Sequence, residues 1–232
     1  MLFFFLCHKD SSSKVCIRDC FISVGDDLIS IKSGWDEYGI SYGRPSSDIV
    51  IQNISGSTRA SSGIAIGSEM SGGISNVYVN NMVVTHAHAG IRIKTARGRG
   101  GYVKDVYISD IIISNADVAI ELTSLYGEHP DSYYDPDALP DVEGIVIENI
   151  MASNVTRAGN FQGLAELPFR DIYLSNVFIN VTSSGLTWNC SYVVGYSESV
   201  FPEPCPELEQ DPLNSLHPWS INNDDDNKSK LR

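Results

Sequence analysis

Cations are scarce in this 232-residue chain, where 16 Lys and Arg stand against 29 Asp and Glu for a formal net charge of −13. A nucleic-acid binder, whose affinity comes largely from neutralising phosphates, would invert that balance and is not expected. Long apolar runs are missing as well, and nothing approaches the roughly 18 residues that would suggest a membrane span. Charged residues make up only 19% of the chain and apolar ones 42%, which excludes a disordered chain. No segment repeats its apolar residues convincingly at the helical period, so a helical fold is not expected. The chain has no Cys-x-x-Cys spacing, and a zinc site is therefore weakly supported. What remains is an acidic, Gly-rich globular chain long enough to bury a core.

Five cysteines occur, and Cys190 and Cys205 flank a Pro-rich segment near the end of the folded part, where they read as one loop-closing disulfide. Cys16 and Cys20 lie in a strand-like run, in which four residues of extended chain are too far for an easy bridge. Five Asn-x-Ser/Thr sequons begin at Asn53, Asn154, Asn180, Asn189 and Asn227. Together with the disulfide they favour a secreted protein whose export signal is not visible here. The apolar start, residues 1–10, is too short for a signal peptide, with six apolar residues from Leu2 to Cys7 against the ~7–15 of an h-region. It reads instead as something other than the natural start of the domain. Residues 207–232 end in the polar run Asn222–Arg232 and read as a disordered acidic tail.

Between these ends, residues 11–206 carry an internal repeat. Its copies are Ile49-Val-Ile-Gln-Asn53, Val77-Tyr-Val-Asn-Asn81, Val106-Tyr-Ile-Ser-Asp110, Ile145-Val-Ile-Glu-Asn149 and Ile172-Tyr-Leu-Ser-Asn176, with Lys14–Asp19 as a sixth at the start. The steps between first residues are 28, 29, 39 and 27, the long one holding a loop over Tyr126–Pro140. Most copies lead into a second short strand: Leu28–Lys32, Ile64–Ile66, Ile91–Lys94 and Val118–Glu121. Strands of three to five residues at this period are a solenoid signature. The Leu-rich phrase of a leucine-rich repeat is absent; a β-branched phrase closed by Asn or Asp is present instead, and those residues suit tight corners. The expectation is an all-β, right-handed parallel β-helix with coils ~4.8 Å apart and Val and Ile pointing inward.

Stacking turns sequence into geometry. With Ile91 and Ile93 inward, Arg92 and Lys94 point outward on one face. Ala65 and Ala119 are expected beneath and above Arg92, and Gly67 beneath Lys94, so that two cations stand on a floor of small residues. Such a pair suits a carboxylate, Arg as a fork and Lys as a point charge. One coil pair away, Gly25-Asp26-Asp27 is expected in a bend, since strict alternation would bury Asp27 among the isoleucines, and Gly25 is expected to supply unusual backbone angles. Neighbouring carboxylates suit a division of labour, one carrying a proton while another stays ionised. His86 and His88 lack a third ligand for a metal. Arg97-Gly-Arg-Gly-Gly101 reads as a basic turn that makes residues 92–104 the most cationic stretch, a place to draw a polyanionic sugar chain.

Gly25-Asp-Asp27, Lys32-Ser-Gly-Trp-Asp-Glu-Tyr38, Gly67-Ser-Glu-Met-Ser-Gly-Gly73 and Gly90-Ile-Arg-Ile-Lys94, in that order, resemble glycoside hydrolase family 28, the polygalacturonases, and most closely its plant branch. The likeness runs from about Ser11 to Pro206. It implies inverting hydrolysis of the α-1,4 links of polygalacturonate, in which one carboxylic acid protonates the leaving oxygen and carboxylates activate water. By resemblance Asp26 is the general acid, Asp27 is part of the base, and Arg92 and Lys94 hold the galacturonate carboxylate. No metal or organic cofactor is implied, and the expected partner is pectin, met by a monomer in the cell wall, with no nucleic acid or membrane.

Two departures from the family pattern stand out. The family's Asn-Thr-Asp motif should fall at residues 3 to 5, where this chain has Phe3-Phe4-Phe5, as an N-terminally truncated or alternatively spliced product would. The family's Gly-His-Gly is Ser61-Ser62-Gly63 here, so Ser62 takes the histidine's place, with His88 one coil further as a candidate substitute. The alternative is therefore a catalytically silent pectin-binding β-helix, since a missing base commonly costs orders of magnitude in rate. A β-helix lyase, which would want a calcium-binding acidic cluster, ranks last. A solenoid without its first coils exposes an apolar cross-section, so the chain alone is expected to aggregate.

Overall fold

A computed structural model describes residues 7–182 and 187–209. The first six residues, Phe3–Phe5 among them, and the tail beyond residue 209 lie outside the described residues, and so does the sequon at Asn227. In chain order the elements are β1 (Cys7–Asp10), β2 (Ser13–Val24), β3 (Ile29–Lys32), α1 (Asp36–Tyr42), β4 (Ser46–Thr58), β5 (Ser62–Gly67), β6 (Ile74–Lys94), β7 (Tyr102–Thr123), β8 (Asp141–Gln162), β9 (Phe169–Val181), β10 (Trp188–Ser191) and β11 (Val193–Phe201). All pairings between these strands are parallel, and each coil lies against the next.

The repeated phrase is the physical repeat. Val15, Ile49, Val77, Val106, Ile145 and Ile172 stand in one ladder, and Ile17, Ile51, Val79, Ile108, Ile147 and Leu174 in another. From Ile49 and Ile51 onward these side chains are no more than 1% exposed. β-Branched residues fill such a pleated interior with little rotamer freedom to lose. The closing Asn or Asp sits at the corner: Asp19, Asn53, Asn81, Asp110, Asn149 and Asn176 all have φ between 52° and 57°, the left-handed region these residues tolerate best. Asn53 Nδ2 donates to Asp19 Oδ1 and Asn81 Nδ2 to Asn53 Oδ1, both at 2.8 Å. A second left-handed corner recurs at Asp48, Asn76, Asp105 and Asp171.

Two local features differ from the expectation. The strands are longer, with 21 residues in β6 and 22 in each of β7 and β8, because single left-handed residues turn the chain without interrupting the ladder. A helix does form, but its seven residues make barely two turns, too few for a periodic signal. Gly43 ends it at φ 58°, its N–H bonding back to the Gly39 carbonyl. Near the other end, Cys190 and Cys205 are joined, with Cα atoms 6.2 Å apart, while Cys16 and Cys20 are free. The folded part extends to a 3₁₀ turn at Pro206–Leu208, and Leu208 is fully buried.

Candidate active site

One outward strand face carries the chemistry. β3, β5, β6, β7, β8 and β10 lie side by side, and Asp26 and Asp27 occupy the bend that enters β3. Asp26 is exposed and its Oδ1 accepts the Asp27 backbone N–H at 2.8 Å. Asp27 is only 2% exposed despite sitting in the bend. Lys94 Nζ donates to its Oδ2 at 2.8 Å, and Ser61 Oγ and the Ser62 backbone N–H donate to its Oδ1. Burial by itself would raise the Asp27 carboxyl, but the Lys94 ammonium and these hydrogen bonds outweigh it and hold the group below the usual carboxylate range, so Asp27 is an anion at neutral pH.

Gly25 does not play the expected backbone part: its φ lies outside the left-handed region and a Cβ there would meet nothing within 4 Å. The required glycine is Gly67, at φ 86°, where a Cβ would fall 2.1 Å from the Lys94 carbonyl oxygen. Ser62 is fully buried; its N–H serves Asp27 and its hydroxyl has no hydrogen-bond partner among the described residues.

Arg92 does lie above Ala65, but Glu121, not Ala119, lies above it. Arg92 Nε is 2.6 Å from Glu121 Oε2, an ion contact without the alignment of a hydrogen bond. Alternation alone cannot separate registers that differ by two residues, because both keep the same faces. Lys94 is likewise not a free cation; it is 6% exposed and committed to Asp27. The wider cationic stretch is neutralised in the same way. Arg97 pairs with Glu166, Arg99 with Asp36, and Lys104 with Asp141 and Glu143. His88 contacts Asp117 and Glu121, and its pKa is raised chiefly by the Glu121 hydrogen bond; these partners place it with Arg92, not with Asp27.

Tyr126 was not singled out by the sequence. Its ring lies beneath both cations, 5.2 Å from Arg92 Cζ and 5.3 Å from Lys94 Nζ, at distances where the ring quadrupole attracts a cation. The available hint was position alone: it opens the long loop that breaks the repeat. A buried clamp fixes that loop's far side. Arg99, fully buried, donates through Nε to the Ser68 carbonyl at 2.8 Å and through Nη1 to Asp36 Oδ1 at 2.5 Å, and His129 Nδ1 lies 2.6 Å from Asp36 Oδ2. α1, the β5–β6 connection and the loop after β7 are thereby tied together.

Stacked parallel coils thus gather a carboxylate pair and two cations on one outward face of a parallel β-helix. Residues 7–200 match the sequence profile of glycosyl hydrolases family 28, and the chain belongs to that family. It is 43% identical over 203 residues to a probable polygalacturonase of Vitis vinifera, covering 87% of this chain and 41% of that protein. It is 27% identical over 175 residues to polygalacturonase-2 of Solanum lycopersicum, covering 73% and 35%. The crystal structure of a hyperthermoactive exopolygalacturonase from Thermotoga maritima superposes with a TM-score of 0.73 at 29% identity, covering 83% of this chain and 42% of that one. The chain thus spans less than half the length of these relatives. Among the described residues no helix is long and apolar enough to cross a membrane.

Proposed function

We propose that this chain carries the acid side and part of the base side of a polygalacturonase-type hydrolase that cleaves α-1,4-galacturonide links of pectin with inversion. The observation that carries the reading is the pairing of an exposed Asp26 with a buried, ionised Asp27 on the outward face of a family 28 β-helix. Asp26, exposed to solvent, gives a proton to the leaving oxygen. Asp27, kept anionic by Lys94, supplies negative charge for water activation and for the oxocarbenium-like transition state. Arg92 engages Glu121 through Nε, which leaves its terminal nitrogens to meet a sugar carboxylate as a fork. Lys94 acts on that carboxylate only through its remaining protons.

The same proposal includes a secreted, monomeric plant glycoprotein acting in the cell wall. The Cys190–Cys205 disulfide supports export. The sequons support it less. Asn53 and Asn154 occupy left-handed positions with their amides bonded to Asp19 and Asn115, so their presence has a structural reason of its own. Asn180, by contrast, is exposed.

A second reading, a pectin-binding β-helix without turnover, is favoured by Ser62, which offers Asp27 only a backbone N–H where the family carries a histidine. Reducing-sugar release from polygalacturonate by the purified chain, beside Asp26→Asn, separates the two. Release that the substitution abolishes supports hydrolysis; retention of pectin with no release supports the binding protein.

A further inference from the structure

The outward face just past the corner that closes each repeated phrase is built without charge. Val83, Ile112, Met151, Phe178 and Phe201 stand in one ladder there. Thr85, Ser114, Ser153 and Asn180 form the next, two residues along each strand. Ile112, Met151, Phe178 and Phe201 lie on successive coils and are between 52% and 64% exposed. With Pro202 and Asn180 they line an open hollow of about 710 Å³, a size that small ligands fill. Soluble proteins seldom leave a contiguous apolar patch of this kind uncovered.

One residue of the hollow points to what covers it. Asn180 opens the sequon Asn180-Val181-Thr182. Phe178 and Asn180 are two residues apart on β9, so both side chains leave the same face, with Cα atoms ~6.6 Å apart. β11 ends at Phe201, so no strand residue of the following coil pairs with Asn180. Its side chain is exposed and has no hydrogen-bond partner among the described residues. The neighbouring sequons differ. Nδ2 is the atom that takes a sugar, and at Asn53, Asn154 and Asn189 it already donates to Asp19, Asn115 and Asn160. A pyranose ring is amphipathic: its C–H groups gain by leaving water, while its hydroxyls stay hydrated.

We propose that Asn180 is an N-glycosylation site and that the first sugars of its glycan lie across Phe178, Met151 and Phe201, covering the apolar row. The inference rests on the export reading given above, since the donor, a lipid-diphosphate-linked oligosaccharide, is met on that route. In the transfer the Asn180 amide nitrogen bonds to the anomeric carbon and the bond from that carbon to the diphosphate oxygen breaks. The lipid diphosphate leaves with the electron pair, and the amide loses one proton to a base of the transferase.

The test is secretion of the full chain from yeast behind a cleavable leader, with site-by-site glycan mapping by mass spectrometry and thermal unfolding of the purified product. Asn180 is expected to be occupied in most molecules. The glycosylated chain is expected to unfold ~2–4 °C above Asn180→Gln, the shift that one packing contact gives in a chain of this length. Enzymatic removal of the glycan is expected to give the same loss without a substitution. Phe178→Ser keeps the sequon but removes the ring, and in that background the glycan is expected to give no shift. Asn180 bare in a folded product with Cys190 linked to Cys205 overturns the inference and leaves the export reading standing. An occupied Asn180 whose glycan shifts nothing, or shifts the Phe178→Ser chain equally, overturns the packing on this row. Cys190 and Cys205 unlinked in the secreted product overturn the export reading itself.

Discussion

Lys94→Met isolates the buried charge of Asp27. Side chains of Lys94 and Asp27 are 8% and 3% exposed and their charged atoms are 2.8 Å apart. Removing the ammonium leaves Asp27 enclosed with only the Ser61 hydroxyl and the Ser62 N–H as donors. Breaking one half of a buried pair typically costs ~3–5 kcal/mol, because the remaining charge is uncompensated. Urea unfolding followed by tryptophan fluorescence at neutral pH should show a loss of that size. The pH dependence is the sharper readout. Asp27 is depressed in the folded protein, so its contribution to stability is present above the unfolded carboxylate value and is lost as the pH falls through the folded one. Without Lys94 the folded value moves up. The gap between parent and variant is therefore full above that raised value and closes as the pH is lowered through it toward the parent's. Asp27→Asn in the Lys94→Met background should recover part of the loss at neutral pH, since a neutral amide needs no counter-ion. A loss under ~1 kcal/mol, the range of an exposed pair, or a gap that stays constant with pH, would refute the assignment of Lys94 as the counter-ion of Asp27.

Other expectations follow from single backbone positions. Gly67→Ala combines φ 86° with a Cβ 2.1 Å from the Lys94 carbonyl, so thermal unfolding should report a loss above ~1 kcal/mol; pectin binding, read separately, should fall as Lys94 is displaced. Asn81→Ala, at a corner with φ 56°, should cost ~1–2 kcal/mol, while Asn81→Gly should lose less; equal losses in chemical denaturation would mean that the Asn53 hydrogen bond, not the backbone angle, is what Asn81 provides.

Much of the fold was legible because the solenoid writes the same local rule six times. Ile49, Val77, Val106, Ile145 and Ile172 repeat in sequence and stand in one ladder, and the corner residues that close each phrase share one backbone angle. The site was legible only where it follows the same rule: Arg92 sits over Ala65 because strand registry places it there. What decides its electrostatics was not. Lys94 and Asp27 are 67 residues apart in sequence, and no period in the chain says which cation meets which acid. Glu121 was read one register away, since a two-residue slip preserves every inward and outward face. Arg99 sits in a turn with the composition of an exposed basic patch, yet is fully buried against Asp36; only the fold of α1 and the Tyr126–Pro140 loop around it creates that pocket. Tyr126 belongs to a loop, where neither period nor ladder constrains a residue.

The strict registry from coil to coil also sets the scale on which this architecture can be edited. Deleting one residue within a strand sends the rest of that coil's interior to solvent, whereas adding or removing a full coil leaves every remaining neighbour a partner of the same kind. The 39-residue step between Val106 and Ile145 shows where surplus length goes: it is looped out beside Arg92 and Lys94 while the strands on either side stay paired in frame. A protein built this way can vary its loops residue by residue but its outward face only by whole turns, so the length of that face changes in integers.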